Sequence, residues 1–121
     1  SESAGESLTR ELLHRLGIRP PELQYSVLTP LGEHRMDFAW PEVKVAVEFD
    51  GKSKYFDYRP TGEVLFAERQ REKALTEQGW TFVRIEWKHL FNEVEFKYRV
   101  LRALNRGAGA DSSPFRRSAA G

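Results

Sequence analysis

Residues 36–40 alternate between large apolar side chains and small or acidic ones, which is the pattern of a half-buried β-strand. Met36, Phe38 and Trp40 fall on one face of this strand, and Asp37 and Ala39 fall on the other. The strand therefore presents a broad apolar surface on one side and an acid beside a small residue on the other.

A second alternating run spans residues 44–50, and Pro41-Glu42 between the two runs is typical of a turn. One face of this second strand carries Val45, Val47 and Phe49, and the opposite face carries Lys44, Ala46, Glu48 and Asp50. The two runs predict a hairpin whose large apolar faces point to the same side, because a slip of one residue would turn a whole face away from the core.

In this hairpin the acids Asp37, Glu48 and Asp50 share one face. If Trp40 closes on Val43, Asp37 lies diagonal to Glu48, with Cβ atoms roughly 7–8 Å apart or less. Such a cluster needs a bound cation, a neighbouring lysine or arginine, or raised pKa values. Oxygen ligands of this kind suit Mg²⁺, so one cation bridging the two carboxylates is an expectation from the sequence.

Acids at strand ends are common, and Asp50-Gly51 alone is an ordinary turn signal, so a purely structural role stays open. Lys52 and Lys54 follow at once. Carboxylates that hold a metal, with a lysine beside them, form a constellation that cleaves phosphodiesters. The metal polarises a phosphoryl oxygen and acidifies a water, and the lysine stabilises developing charge.

The remaining periodicity predicts helices at residues 2–16, 64–78 and 89–104 and strands at residues 24–29 and 81–87. This order predicts an α/β fold with helices on both faces of a mixed sheet, in which an antiparallel meander is followed by a crossover helix and a parallel strand. We expect one domain over residues 1–105 and a flexible tail over residues 106–121, which are mostly Gly, Ala, Ser and Arg.

The first and last helices each carry an apolar stripe that we expect to face the core. The stripes consist of Leu8, Leu12, Leu13 and Leu16 in the first and of Phe91, Val94, Tyr98 and Leu101 in the last. Glu6 lies at the edge of the first stripe. It can therefore either reach the acidic face or remain a solvated acid of the first helical turn.

The loop at residues 52–62 is a candidate for binding nucleic acid. Basic and aromatic residues interleave in the loop at residues 52–62, namely Lys52, Lys54, Tyr55 and Arg59. This pattern suits a nucleic-acid backbone with unstacked bases, and equally a loop whose aromatic residues cap the core.

Charged residues interrupt the apolar face of the helix at residues 64–78. Its inward stripe is predicted to be Val64, Glu68, Arg71 and Leu75. Glu68 and Arg71 form either an ion pair at the edge of the core or a charged face over the acids, with Arg71 facing phosphate. Arg84 and Glu86 share a face of the strand that follows and are expected at the rim of the site.

Four blocks of sequence carry a resemblance to a known family: residues 36–41, 45–55, 68–75 and 79–85. In this order they resemble the very-short-patch-repair-endonuclease-like domain of bacteria, which belongs to the PD-(D/E)xK, or restriction-endonuclease-like, superfamily. The resemblance covers roughly Gly5 to Leu104. It implies a restriction-endonuclease-like α/β/α sandwich and a DNA endonuclease that depends on Mg²⁺ or Mn²⁺.

The resemblance also implies roles for individual residues: Asp37 and Glu48 as metal ligands, Asp50 as a third acid, Glu6 as the acid of the first helix, and Glu68 with Arg71 as a charged pair beside the acids. Asp50 stands where the usual motif has its lysine, and Lys54 stands where relatives often have a histidine. The catalytic lysine would then be Lys54 or Lys52.

Such domains often end longer antitoxin-like proteins in actinobacteria. The alternative function is therefore a catalytically inactive nuclease-fold module of a longer protein, which binds DNA or a protein partner. The chain starts with Ser1, which is consistent with a piece of something longer.

Composition narrows these possibilities. With 121 residues, 40% of them hydrophobic, the chain is long enough for one core, and a net charge of +1 means that DNA must be bound by a local patch. Cysteine is absent and the three histidines are scattered, which argues against a zinc site. We find neither a signal peptide nor a run approaching the ~20 apolar residues of a membrane span, and expect a cytoplasmic protein without a membrane partner.

Overall fold

Within residues 3–51 and 62–111, which are the part of the chain that the computed structural model describes (side chains as far as Gly107), a four-stranded mixed sheet forms the centre of the fold. Its strands lie side by side in chain order and are β1 (Glu22–Thr29), β2 (Gly32–Trp40), β3 (Val45–Phe49) and β4 (Thr81–Ile85). The β1–β2 and β2–β3 pairs are antiparallel, and β3–β4 is parallel. The predicted meander and parallel strand are confirmed.

Helices cover both faces of this sheet. In the described residues they are α1 (Ala4–Arg15), α2 (Gly62–Glu77), α3 (Trp87–Leu90) and α4 (Glu93–Asp111). One apolar cluster joins α1 and α4 to the sheet, with Leu12 and Phe96 among its members, and a second joins α2 to the opposite face through Leu75. The predicted α/β class is confirmed. None of the described helices is long and apolar enough to cross a membrane.

The first helix begins and ends at capping residues close to the predicted limits. The Ser3 hydroxyl accepts a hydrogen bond of 3.1 Å from the backbone N–H of Glu6. Gly17 follows the helix with a φ of 75°, a left-handed conformation that favours glycine. Sequence signals for both ends of α1 were therefore informative.

Gly5, rather than Leu8, sets the face of α1 that contacts the sheet. Leu8 was predicted to lie in the core but is 43% exposed, whereas Thr9 is buried and donates a hydrogen bond of 2.7 Å to the Gly5 carbonyl. A Cβ atom at Gly5 would lie 2.1 Å from the ring of Phe49. Glycine thus lets the first turn of α1 approach the end of β3, and Glu6 is the next residue in that turn.

The hairpin of β2 and β3 forms in a different register from the one predicted. Trp40 pairs with Val45, and the hydrogen bond of 3.1 Å from the Val43 N–H to the Trp40 carbonyl lies within the turn. The reason is a longer turn, in which Lys44 has a φ of 54° and donates its N–H to the Pro41 carbonyl at 3.2 Å. The register moves by two residues, which preserves the alternation of faces.

Met36 does not share a face with Phe38 and Trp40, contrary to the prediction. Met36 is fully buried in the cluster around α2, whereas Phe38 and Trp40 belong to the cluster around α1 and α4. In β1 the residue between the partners of Met36 and Phe38 is Gln24, which has a φ of 50°. The pleat is interrupted there, so simple alternation fails between residues 36 and 38.

Element ends account for two smaller differences. The second helix was predicted from residue 64 but begins at Gly62, and Gly79 follows it with a φ of 103°. The last strand was predicted to reach residue 87 but ends at Ile85, because Trp87 already belongs to α3. The backbone N–H of Glu86 donates to Nδ1 of His89 at 2.9 Å, which fixes this change of direction.

The predicted apolar stripe of the last helix is wrong except for Leu101, which is partly buried and packs against the core. Phe91, Val94 and Tyr98 are 79%, 81% and 59% exposed. The buried residues of α4 are Phe96, Val100, Ala103 and Leu104. Both sets have helical spacing, so hydrophobicity alone cannot decide which one faces the sheet. The predicted single helix is also divided, because α3 ends at Leu90 and α4 begins at Glu93.

The boundary expected at residue 106 also differs from the structure. Helix α4 continues to Asp111, so residues 106–111 are helical rather than part of a flexible tail. A Cβ atom at Gly107 would lie 2.6 Å from the Val43 carbonyl oxygen. This close approach packs the end of α4 against the turn between β2 and β3.

The observed packing of α4 predicts unequal effects of two aromatic truncations. Phe96→Ala should lower the free energy of unfolding by about 3–5 kcal/mol, because it leaves a cavity in the core. Tyr98→Ala should lower it by less than about 1 kcal/mol, since that ring is mostly exposed. Urea denaturation would measure both values. A larger loss for Tyr98→Ala than for Phe96→Ala would show that α4 packs by the other stripe.

Candidate functional site

A cleft of about 220 Å³ lies between the sheet and α2, on the face of the sheet that carries the acids. It is lined by His34, Arg35, Asp37, Glu48, Phe49, Asp50, Gly51, Glu68, Glu72 and Arg84. All three acids that the sequence places on one face reach this cleft. The lining is strongly charged, and both signs of charge are present.

Phe38 pairs with Val47, so the next position along the two strands sets Asp37 opposite Glu48. Directly opposed residues have Cβ atoms about 4.5–5.5 Å apart, so the two acids are closer than the predicted diagonal arrangement would place them. The carboxylate of Asp37 accepts a hydrogen bond of 3.1 Å from the backbone N–H of Phe49. This bond ties the acid on β2 to the end of β3.

The surroundings of Asp37 favour its protonated form. Burial is the largest cause that raises the pKa of Asp37, and together with the charges of Glu6 and Glu48 it brings this pKa to about 7 against the opposing hydrogen bond from Phe49. Near neutral pH this carboxyl group therefore exchanges a proton readily. A cation near the carboxylate would oppose the shift, because it stabilises the charged form.

Glu6 contacts this group directly. Its side chain hydrogen-bonds with the Asp37 carboxyl, and its charge is one cause of the raised pKa of Asp37. The structure thus places Glu6 at the acidic face, which is one of the two positions that the sequence left open for it. The close approach of Gly5 to the Phe49 ring brings the first turn of α1 to this place.

Both carboxylate oxygens of Glu48 have cationic or polar partners. Oε1 accepts a hydrogen bond of 2.9 Å from Nη1 of Arg84, and Oε2 lies 3.2 Å from Nε2 of His34. The Glu48 side chain is only 13% exposed. Its negative charge is therefore compensated inside the protein without any added ion.

Arg84 bridges two carboxylates that come from different elements. Its Nη2 donates to Oε1 of Glu72 on α2, while its Nη1 holds Glu48 on β3. Burial alone would lower the pKa of Arg84, but Glu48 and Glu72 outweigh burial and raise it. The guanidinium group is permanently charged in this position. The sequence analysis predicted that the acids need a cation, a basic side chain or raised pKa values. Two of these three are present, namely an arginine beside Glu48 and a raised pKa of Asp37.

His34, Glu72 and Arg84 are the residues of this cleft that sequence reasoning missed or placed only at the rim. The parallel pairing of β3 with β4 sets Arg84 level with Glu48. The ion pair could therefore have been predicted once the register of these two strands was known. His34 had no predicted role, and it lies in β2, which begins at Gly32 and thus before the predicted strand. Glu72 was not part of the predicted inward stripe of this helix, so nothing in the pattern indicated that it reaches the cleft.

The predicted charged pair on α2 is divided between two places. Glu68 lines the cleft. Arg71 packs toward the β1–β2 turn, where its Cδ lies 3.8 Å from a Cβ built at Gly32. Its buried Nε has no hydrogen-bond partner within the described residues. Val64, predicted on the same inward stripe, is 48% exposed.

The basic and aromatic residues that follow β3 in the chain lie outside the described residues. They include Lys52, Lys54, Tyr55 and Arg59, so the predicted lysine of the site and the predicted nucleic-acid contacts rest on the sequence alone.

The donor set has a limited fit to a divalent metal ion. In the described residues no three His, Asp or Glu side chains converge closely enough to hold a metal. Mg²⁺, however, is commonly bound through one or two carboxylates, with waters and substrate phosphate completing its shell. Asp37 and Glu48 line the same cleft and would supply two carboxylates of this kind, provided that Arg84 leaves Oε1 of Glu48.

Comparisons with known proteins give relatives without a described activity. No protein-family profile matches the chain, and no solved structure matches it. The chain is 35% identical over 86 residues to the uncharacterized proteins MT2308 and Rv2248 of Mycobacterium tuberculosis, from strains CDC 1551 and H37Rv. The matched region covers 70% of this chain but spans only 30% of the length of each relative.

The raised pKa of Asp37 predicts a specific pH dependence of stability in the absence of metal. Because the pKa in the folded protein lies above that of an unfolded aspartate, the contribution of Asp37 to stability is fully present below about pH 4 and is lost as pH rises through about 7. Asp37→Asn cannot ionise but can still accept the hydrogen bond from Phe49. We expect it to be about 1–2 kcal/mol more stable than the wild type at pH 8, and equal to it near pH 4.

Urea denaturation in EDTA at pH 4, 6 and 8 would measure this difference. Glu11→Gln, which removes an exposed carboxylate from α1, serves as the control and should not show the same trend. A difference between Asp37→Asn and the wild type that stays constant from pH 4 to pH 8 would contradict the assignment of the shift to Asp37.

Proposed function

We propose that this protein is a DNA endonuclease that hydrolyses phosphodiester bonds with the help of Mg²⁺ or Mn²⁺, acts in the cytoplasm and has a restriction-endonuclease-like α/β/α sandwich fold. One observation carries the proposal. Asp37 and Glu48 face each other across neighbouring strands, and Glu6 is close enough to help raise the pKa of Asp37 to about 7. Such a cluster of carboxyl groups offers the oxygen ligands that suit a hard divalent cation.

In this proposal Asp37 and Glu48 hold the metal, and Asp50 and Glu6 extend the acidic cluster. When bound, the ion supplies positive charge at the phosphoryl oxygen and makes a bound water more acidic. Glu6, which hydrogen-bonds with Asp37, favours the protonated form of that carboxyl group as long as no cation is bound. Lys54, or Lys52, stabilises charge on the phosphoryl group or orients the attacking water.

The DNA contacts in this proposal come from a local surface and not from the overall charge. Lys52, Lys54, Tyr55 and Arg59 supply phosphate contacts and stacking surfaces beside the acids. Arg71 lies near the β1–β2 turn, so any phosphate that it contacts is at the edge of the bound DNA.

A second candidate function is supported by a specific observation. Glu48 already has Arg84 on one carboxylate oxygen and His34 on the other. A site compensated in this way is stable without metal, which suits a catalytically inactive nuclease-fold module that binds DNA or a protein partner. The relatives are much longer than the matched region, which agrees with a module of a larger protein. The proposal that this larger protein is antitoxin-like rests on the sequence resemblance.

A cleavage assay distinguishes the two functions. Supercoiled plasmid and single-stranded DNA would be incubated with the protein in Mn²⁺, Mg²⁺ or EDTA. We expect cutting in metal and none in EDTA, and a loss of at least about 100-fold in Glu48→Ala and in Lys54→Ala. Glu11→Ala, which changes an exposed acid on α1, should cut like the wild type.

The pattern of losses is informative. Loss in Glu48→Ala alone would retain the nuclease but remove Lys54 from the proposed site. Metal binding, measured by calorimetry, without cutting of either substrate at high protein concentration would overturn the enzyme in favour of the binding module.

Salt dependence tests the proposed local DNA surface. With a net charge of +1, the chain should bind a DNA duplex modestly in EDTA, through a few phosphate contacts. Raising the salt from 50 to 200 mM should weaken binding about 10- to 100-fold, the loss expected for roughly two to four contacts. Fluorescence anisotropy would measure the affinity, and an affinity independent of salt would contradict phosphate binding.

A further inference from the structure

Arg84 occupies the carboxylate that the proposed function assigns to the metal. Its Nη1 lies 2.9 Å from Oε1 of Glu48, and its Nη2 is bound to Glu72 across the cleft. A guanidinium group and a divalent cation cannot both compensate the same oxygen at bonding distance. Entry of a cation at Glu48 therefore requires the Arg84 side chain to move.

We propose that Arg84 is a positioning residue that couples the binding of DNA phosphate to the binding of the divalent cation. In the protein without DNA, Arg84 holds Glu48. When DNA binds, a backbone phosphate takes over the guanidinium group and leaves Oε1 of Glu48 open to the cation. This inference rests on the proposed metal-dependent function and adds to it a role for a residue that the family resemblance does not single out.

Arginine is chemically suited to this exchange. The N–H groups of its planar guanidinium fork bind carboxylate and phosphate oxygens alike, so a phosphate oxygen can replace Oε1 of Glu48 on Nη1. The Arg84 side chain is 42% exposed, and the cleft that it lines is open to a ligand. A phosphate that enters the cleft can therefore reach the guanidinium group directly.

The contacts around Arg84 allow the side chain to move while its surroundings stay in place. Its backbone carbonyl accepts a hydrogen bond of 2.9 Å from Nη2 of Arg99, which ties the main chain to α4. Glu72 keeps the guanidinium group near the cleft after it leaves Glu48. His34 stays on Oε2 of Glu48 and keeps that carboxylate oriented. Only the bond between Arg84 and Oε1 of Glu48 has to break.

This arrangement makes the two ligands cooperate. Phosphate that binds Arg84 raises the affinity for the cation, and by thermodynamic linkage the cation raises the affinity for phosphate by the same factor. The free protein would then bind metal weakly, and the acidic site would become competent mainly when DNA is present.

The first experiment measures Mn²⁺ binding to the full 121-residue chain without DNA, by the electron paramagnetic resonance signal of free Mn²⁺. We expect Arg84→Gln to bind Mn²⁺ about tenfold more tightly than the wild type. Arg84→Lys, which keeps the charge but loses the fork, should be intermediate. Arg69→Gln, which removes an exposed arginine from α2, is the matched control and should bind like the wild type.

A second measurement follows a DNA duplex in EDTA by fluorescence anisotropy. Arg84→Gln should bind it several-fold more weakly than Arg69→Gln, because a phosphate contact has been removed. A residue with a merely structural role would not shift metal and DNA affinities in opposite directions. Equal Mn²⁺ affinity in the wild type and Arg84→Gln would overturn the coupling and leave the metal-dependent function in place. No Mn²⁺ binding by any variant would overturn both.

A third measurement uses the wild type alone, in case Arg84→Gln does not fold. Mg²⁺ would be titrated while the Nε–H resonance of Arg84 is followed by NMR spectroscopy. The coupling predicts that this resonance shifts or broadens as the cation displaces the guanidinium group from Glu48. A resonance that stays unchanged when Mg²⁺ saturates the protein would overturn it.

Discussion

Compensation of negative charge at the end of β3 is the constraint on which the arrangement of the cleft depends. Glu48 is nearly buried and Asp37 lies level with it, so neither charge is screened as it would be at the surface. Arg84 neutralises Glu48, whereas the pKa of Asp37 is raised by burial and by Glu6 and Glu48. The parallel β3–β4 pairing is essential to this solution, because it sets Arg84 level with Glu48. The crossover through α2 therefore positions charge as well as strands.

Aromatic packing fixes the direction in which these acids point. The ring of Phe49 lies edge-on to Trp87 at 5.1 Å between centroids, and both Gly5 and Gly51 pack so closely on Phe49 that a Cβ atom at either would collide with its ring. The backbone N–H of Asp50 also donates to the Ile85 carbonyl at 2.8 Å. The end of β3, directly after Glu48, is thus held from both sides. This packing preorganises the acidic face without any ligand.

The fold could be predicted from the sequence wherever local chemistry decides it. Alternation gave the hairpin and its acidic face, and Gly17 marked the end of a helix. Prediction failed where tertiary packing chooses between equivalent local options. Two apolar stripes of α4 have the same spacing, and contact with the sheet selects the one that contains Phe96 and exposes Tyr98. The interrupted pleat at Met36 depends on a neighbouring strand, and periodicity within β2 does not encode it. In the site, the sequence pattern predicted the common face of the acids but neither the register between Asp37 and Glu48 nor the arginine bridge, which exists only after β4 is set beside β3.

The two proposed functions differ physically in the fate of one ion pair. If Arg84 stays on Glu48, the cleft is an electrically satisfied surface that binds partners through its outer charges. If phosphate removes Arg84, Glu48 and Asp37 face each other with too little positive charge, and a divalent cation becomes the most effective compensation. Arg84 makes a second bond to Glu72, so its release from Glu48 does not leave the guanidinium group without a carboxylate partner. That second bond lowers the cost of the exchange, and it explains how an acidic site can be both stable without metal and open to it when DNA is bound.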